Sequence, residues 1–251
     1  MSIFVTGDVH GVAEYGASRF SSRVWPLGRT LTRDDVVIVA GDFGFIWSGS
    51  NTDKYWLDWF ESKPWTTCFV DGNHENHHLL AGLPMREWNG GLVHEVRPHV
   101  LHLMRGEVFD ITGTTVLAMG GAASHDKQWR QEGKTWWPEE MPSEREIKHC
   151  RASLDRAGWK VDYVVTHEAP VDLADELCME CNREFYDDSL QAFLGGSTTA
   201  PGSLAITMTM NGAMTSIVLS TKISCRSKRD VPMGRMRRRV TILSKSVRRS
   251  P

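Results

Sequence analysis

Five short apolar runs constrain the fold of this chain most strongly: Ile3 to Thr6, Val36 to Ala40, Cys68 to Val70, Val116 to Met119 and Val161 to Val165. Most are rich in β-branched residues, all are too short for a helix, and each lies next to Gly, Asp, Asn or His, so they read as buried strands that stop abruptly. Between them, Ala13 to Phe20 is expected to be helical, as is Asp53 to Glu61, with Thr52 as its cap. Ser143 to Arg156 is a third expected helix, with Ser143 and Glu146 at capping-box spacing. Strand alternating with helix predicts an α/β fold whose sheet is largely parallel at the start. The polar, tryptophan-rich stretch from His125 to Pro142 reads as a long excursion over the mouth of a site. No internal repeat is present.

The residues at the strand ends carry chemistry. Asp8 and His10 lie in GDVHG, Asp42 in GDFG, Asn73 and His74 in GNHE, and His167 in THEAP. In open α/β sheets ligands bind beyond the carboxyl ends of the strands, so these four segments are expected to converge. Any one alone is accounted for as a turn or a structural histidine; four together predict a metal site. Carboxylate, amide oxygen and imidazole, with no thiolate, suit Mn, Fe or Zn better than a structural thiolate zinc site. The neighbouring glycines allow sharp turns and leave room for a phosphate.

In their order along residues 2–170, GDVHG, GDFG, GNHE and THEAP resemble the signature blocks of the calcineurin-like metallophosphoesterase superfamily. The resemblance implies a four-layer sandwich of two mixed sheets flanked by helices. It also implies hydrolysis of phosphoesters by two divalent cations, with a water bridging them as nucleophile. Carried over by position, Asp8 and His10 bind the first metal, Asp42 bridges both, and Asn73 and His167 bind the second. His74 then lies beside the metals, giving a proton to the leaving oxygen or holding the phosphate. The implied substrate is a phosphoprotein, a nucleotide or a small phosphoester. Ser124, His125, Asp126 and Arg130 are weaker candidates, Arg130 as a phosphate grip. His77, His78, His94, His99 and His102 are expected to be structural or surface residues, and Trp129, Trp136 and Trp137 to pack in the core or a lid.

The family's late Gly-His-x-His block, one imidazole for each metal, has no counterpart, because all 10 histidines lie at or before His167. Composition changes at the same place. Residues 196–221 contain no charged side chain, and residues 222–251 hold 11 Lys+Arg against Asp230 alone, whereas residues 1–221 hold 18 Lys+Arg and 30 Asp+Glu. Residues 1–195 are therefore read as an incomplete metallophosphoesterase domain, and 196–251 as a tail translated in a shifted frame. The alternative frame permits GHYH across Leu204 to Met208. Loss of that block is expected to remove the closing strands of the second sheet and to impair activity. The alternatives are a degenerate, non-catalytic family member, or nucleic-acid binding by the basic tail, including Arg237, Arg238 and Arg239, which is the less expected because out-of-frame translation readily produces such a tail.

No apolar run approaches the roughly 20 residues that span a bilayer, and the first residues lack the form of a signal peptide. A cytoplasmic location with no membrane partner is expected. The 5 cysteines are too scattered for a disulfide framework, and Cys178 and Cys181, though spaced as C-x-x-C, have no second pair.

Overall fold

The computed structural model describes residues 2–14 and 16–168 in full, together with the backbone of 204–211, 214–220 and 240–242. In chain order the elements are β1 (Ile3–Thr6), β2 (Val36–Ala40), α1 (Asn51–Glu61), β3 (Thr66–Val70), α2 (His77–Ala81), β4 (Met85–Trp88), β5 (Gly91–Arg97) and β6 (Val100–Leu103). They continue with β7 (Val108–Ile111), β8 (Thr114–Met119), α3 (Glu144–Arg156), β9 (Tyr163–Thr166), β10 (Leu204–Asn211), β11 (Met214–Ser220) and β12 (Val240–Ile242). Cys178, Cys181 and Arg237 to Arg239 lie outside the described residues.

Two mixed sheets result, one ordered β12-β1-β2-β3-β6-β5-β4 and the other β11-β10-β9-β8-β7. In the first, β1, β2, β3 and β6 run parallel. The apolar runs are buried on both faces because each sheet is covered twice. Ile3 and Val5 of β1 and Val36 and Ile38 of β2 meet Phe109, Ile111, Val116 and Val165 of the second sheet. The alternate residues Phe4, Val37 and Val39 pack with Leu57 and Phe60 of α1. On the far side of the second sheet, Leu117, Met119 and Val164 meet Cys150 and Leu154 of α3. This is the expected four-layer order of helix, sheet, sheet, helix.

The structure differs from the sequence reading in several places. Helix α1 begins earlier than expected and is capped by Ser50, not Thr52: the Ser50 side chain accepts from Asp53 N at 3.2 Å, and Asp53 reaches back to Ser50 Oγ. Ala13 to Phe20 yields only a 3-10 turn at Ala17–Phe20, since Gly16 is pressed against the carbonyls of Val9 and Val12 where the chain folds back. Helix α3 forms as expected, with the reciprocal Ser143–Glu146 box. The second sheet does not lack outer strands: β10 pairs parallel with β9 and antiparallel with β11. Backbone pairing depends little on side-chain identity, and the Thr-, Ile- and Val-rich segments there suit strands. Among the described residues no helix is long and apolar enough to cross a membrane.

Candidate metal centre

Strands β1, β2, β3 and β9 all end on one side of the sandwich, and their following loops meet there. Asp8, His10 and Asp42 adopt φ of 38°, 53° and 50°, a left-handed conformation that non-glycine residues seldom take. Strain of this kind persists only where the surroundings over-determine it. Three restraints do so. The Asp42 carbonyl accepts from Val9 N and His10 N at 2.9 and 2.7 Å. Arg19 reaches under the first loop to donate to Thr6 Oγ1 at 3.1 Å and the Asp8 carbonyl at 2.8 Å. The fully buried Glu75 accepts from Phe43 N at 2.6 Å and Gly72 N at 2.8 Å, stapling the GDFG loop to the GNHE loop.

At Gly41 and Gly72 the loops approach so closely that no side chain fits. A Cβ at Gly41 would lie 2.1 Å from His167 Nδ1, and one at Gly72 would lie 2.1 Å from Asp42 Oδ1.

Two triplets of ligand atoms follow, each with its atoms within 4.8 Å of one another: His10, Asp42 and His74, and Asp8, Asp42 and His167. Asp42 belongs to both. Its Oδ2 lies 3.5 Å from His10 Nε2 and accepts from His74 Nδ1 at 2.7 Å, while Oδ1 lies 3.4 Å from His167 Nε2. His167 Nδ1 donates to the Ala40 carbonyl at 3.1 Å, which turns Nε2 toward the centre. Asn73 Nδ2 donates to Ser124 Oγ at 3.3 Å, an orientation that keeps the amide oxygen as the atom for a cation.

Burial and the charges facing one another shift the acidity of the groups at this centre. Burial pushes the Asp8 carboxyl up to about 7, His167 and Arg19 only partly opposing it. Burial would also raise Asp42, but His167 and His74 beside it hold its carboxyl well below the usual range. Burial lowers His10 to about 4 despite Asp42. His167 goes the other way, to about 9, because Asp42 and Asp8 outweigh its burial. Both Asp8 oxygens are buried and have no hydrogen-bond partner among the described residues, His167 Nδ1 standing off at 3.7 Å. An unpartnered buried carboxylate is costly, and a divalent cation supplies what the protein does not. The donor set therefore fits the metal that the sequence led us to expect.

Other sequence candidates fall at graded distances from this centre. Arg130 reaches it, with Nη2 3.2 Å from His74 Nε2 and Nε paired to Asp126 at 2.7 Å. The excursion from His125 to Pro142 thus does reach the site. Ser124 is held by Glu140, and His125 stands 4.0 Å from Glu168. Trp137 is fully buried, Trp136 donates to Glu140, and Trp129 is exposed. His78 and His99 sit against Glu139 and Glu61 near the surface, whereas His77, His94 and His102 are buried. Sequence reasoning missed the positioning roles of Arg19 and Glu75; the second is the last letter of GNHE, so position within the block was its only signal.

A family model for the calcineurin-like phosphoesterases matches residues 1–196. The chain belongs to the calcineurin-like phosphoesterase family. Membership supports phosphoester hydrolysis in general, and the two triplets are its candidate metal ligands. Comparison with curated proteins returned no match.

Proposed function

We propose that this phosphoesterase hydrolyses phosphoesters with two divalent cations, Mn, Fe or Zn, held by Asp8, His10, Asp42, Asn73 and His167. The observation that carries the reading is the buried Asp42 carboxylate shared by both triplets beside the unpartnered Asp8. When bound, the cations supply Lewis-acid activation of water and neutralise charge on the phosphoryl group. The protein's own groups do the rest. Asp42 offsets cation repulsion, and its hydrogen bond to His74 Nδ1 fixes that ring with Nε2 facing Arg130. A phosphate arriving there draws off the Arg130 donor and frees the His74 Nε2 lone pair, which takes up a proton from solvent and passes it to the leaving oxygen. The Trp47 ring lies 6.3 Å from the His74 ring, tilted by 28°, on one side of it.

We further propose that the chain as written is impaired by loss of the Gly-His-x-His block. Backbone register supports this: Thr207 of β10 lies opposite Thr166, one residue before His167, so the span 204–208, where the alternative frame permits GHYH, passes beside the centre. The test is hydrolysis of a chromogenic phosphate ester. Turnover should require Mn, fall about 100-fold or more in Asp42→Asn, and rise when the in-frame block is restored. Metal-independent turnover, equal in Asp42→Asn, would refute the two-cation reading; full metal occupancy and unchanged turnover on restoring the block would refute the impairment.

A further inference from the structure

Asn73, as a metal ligand, can serve only through its amide oxygen, because its nitrogen carries donors and no lone pair for a cation. An amide turned half way round keeps its shape and presents the wrong atom. Something beside it must therefore tell oxygen from nitrogen. The neighbouring hydroxyl of Ser124 does not do so alone, since a hydroxyl both donates and accepts. What decides is where its single proton goes.

Ser124 Oγ donates that proton to Glu140 Oε2 at 2.8 Å. With the proton committed, the hydroxyl offers Asn73 only a lone pair, and Asn73 Nδ2 donates to it at 3.3 Å. The amide oxygen is then left for the cation. Glu140 itself has little freedom to turn. Its other oxygen, Oε1, accepts from Ser124 N at 2.6 Å and from the Trp136 indole N–H at 2.7 Å. Its backbone carbonyl accepts from Ala122 N at 3.2 Å and from Arg105 Nη2 at 3.1 Å. Burial, at 1% exposure, pushes its acidity constant up, and the bonds from Ser124 and Trp136 and the charge of Arg130 oppose that rise. Three donors facing one carboxyl match its ionised form, which has acceptors alone to offer.

We propose that Glu140 is a positioning residue of the metal centre: by taking the Ser124 proton it sets the direction of donation from Asn73 through Ser124 to itself, and so turns the Asn73 amide oxygen toward the cation. The inference rests on the two-cation reading. Glu140 acts on the metal only through these two side chains, as partners behind a ligand commonly do.

Glu140→Gln keeps the shape and reverses the direction. Its amide oxygen must stay with the two donors Ser124 N and Trp136 Nε1, so its NH2 faces Ser124 Oγ and donates to it. Ser124 then gives its proton to Asn73, whose oxygen turns to receive it and whose NH2 is left facing the cation. Calorimetric titration of Mn²⁺ into the full chain should show binding about tenfold or more weaker in Glu140→Gln than in the wild-type chain. Made together with Asn73→Asp, the same substitution should change the affinity of the Asn73→Asp protein by no more than about twofold, because a carboxylate presents an oxygen whichever way it turns. A merely structural defect would cost the same in both backgrounds. Ser124→Ala, which deletes the hydroxyl, should show the same dependence on residue 73 and carries the test should Glu140→Gln fold poorly. Equal losses in the two backgrounds overturn the proposal, as does unchanged affinity in Glu140→Gln and Ser124→Ala when Asn73→Ala itself weakens binding. Unchanged affinity in Asn73→Ala would instead remove Asn73 from the ligand set, and with it both that part of the two-cation reading and the role of Glu140.

Discussion

At the residue scale, the centre is governed by Asp8, a carboxylate the fold buries without giving it a donor. Its folded pKa of about 7 lies above the ordinary 3.8. The native state therefore holds the proton more tightly than the unfolded chain, and Asp8's contribution to stability falls as pH rises between those values. Asp8→Asn should stabilise the metal-free protein above neutral pH by a few kcal/mol while weakening cation binding, as urea melts with and without Mn would show. A destabilised metal-free variant would mean that Asp8 has a protein partner after all. Asp8, His10, Asp42 and His167 were legible because each follows a buried apolar strand, where a carboxylate or imidazole is costly to desolvate unless a cation meets it. His74 was expected beside the proposed metals, but nothing in the sequence marked it as the direct partner of Asp42. Arg19 was not legible, because its role depends on a 3-10 turn folding beneath the first loop, which no periodicity announces.

At the scale of elements, strands buried on both faces write themselves as continuous apolar runs, and β1, β2, β3, β8 and β9 were read within a few residues. The hairpins were not. Strand β4 is Met-Arg-Glu-Trp at an exposed edge, and β7 carries Asp110, so neither makes an apolar run. Their signal lay in the turns instead: Asn89-Gly90 and Thr112-Gly113 both take positive φ in two-residue connections. What joins the elements at the site is Glu75. Removing its side chain in Glu75→Ala leaves the buried N–H groups of Phe43 and Gly72 without acceptors. We expect a loss of about 3 kcal/mol in stability, together with weaker Mn binding, because the two ligand loops lose their staple. Denaturant titration and calorimetry of the variant check both. Unchanged Mn affinity would show that the loops hold their geometry without it.

At the scale of the molecule, the two sheets enclose a core into which the fold also buries neutral imidazoles. His77 and His94, both held near 4 by burial, gain protons on unfolding between that value and about 6.5. Stability should therefore decline as pH falls through that window, by up to about 1.4 kcal/mol per pH unit for each ring. His94→Phe should flatten the decline relative to the wild-type chain in urea melts at a series of pH values; an unaltered slope would place the acid sensitivity elsewhere. The tail was the least legible part, since the composition break at residue 196 predicted lost strands, whereas backbone pairing builds β10, β11 and β12 onto the two sheets. The most direct measurement of the metal-centre account is calorimetric titration of Mn²⁺ into the full chain and into Asp42→Asn. Saturable binding to the full chain, weakened about 100-fold or more by the substitution, is the result predicted; equal affinity in the two proteins, or no binding to either, would contradict it.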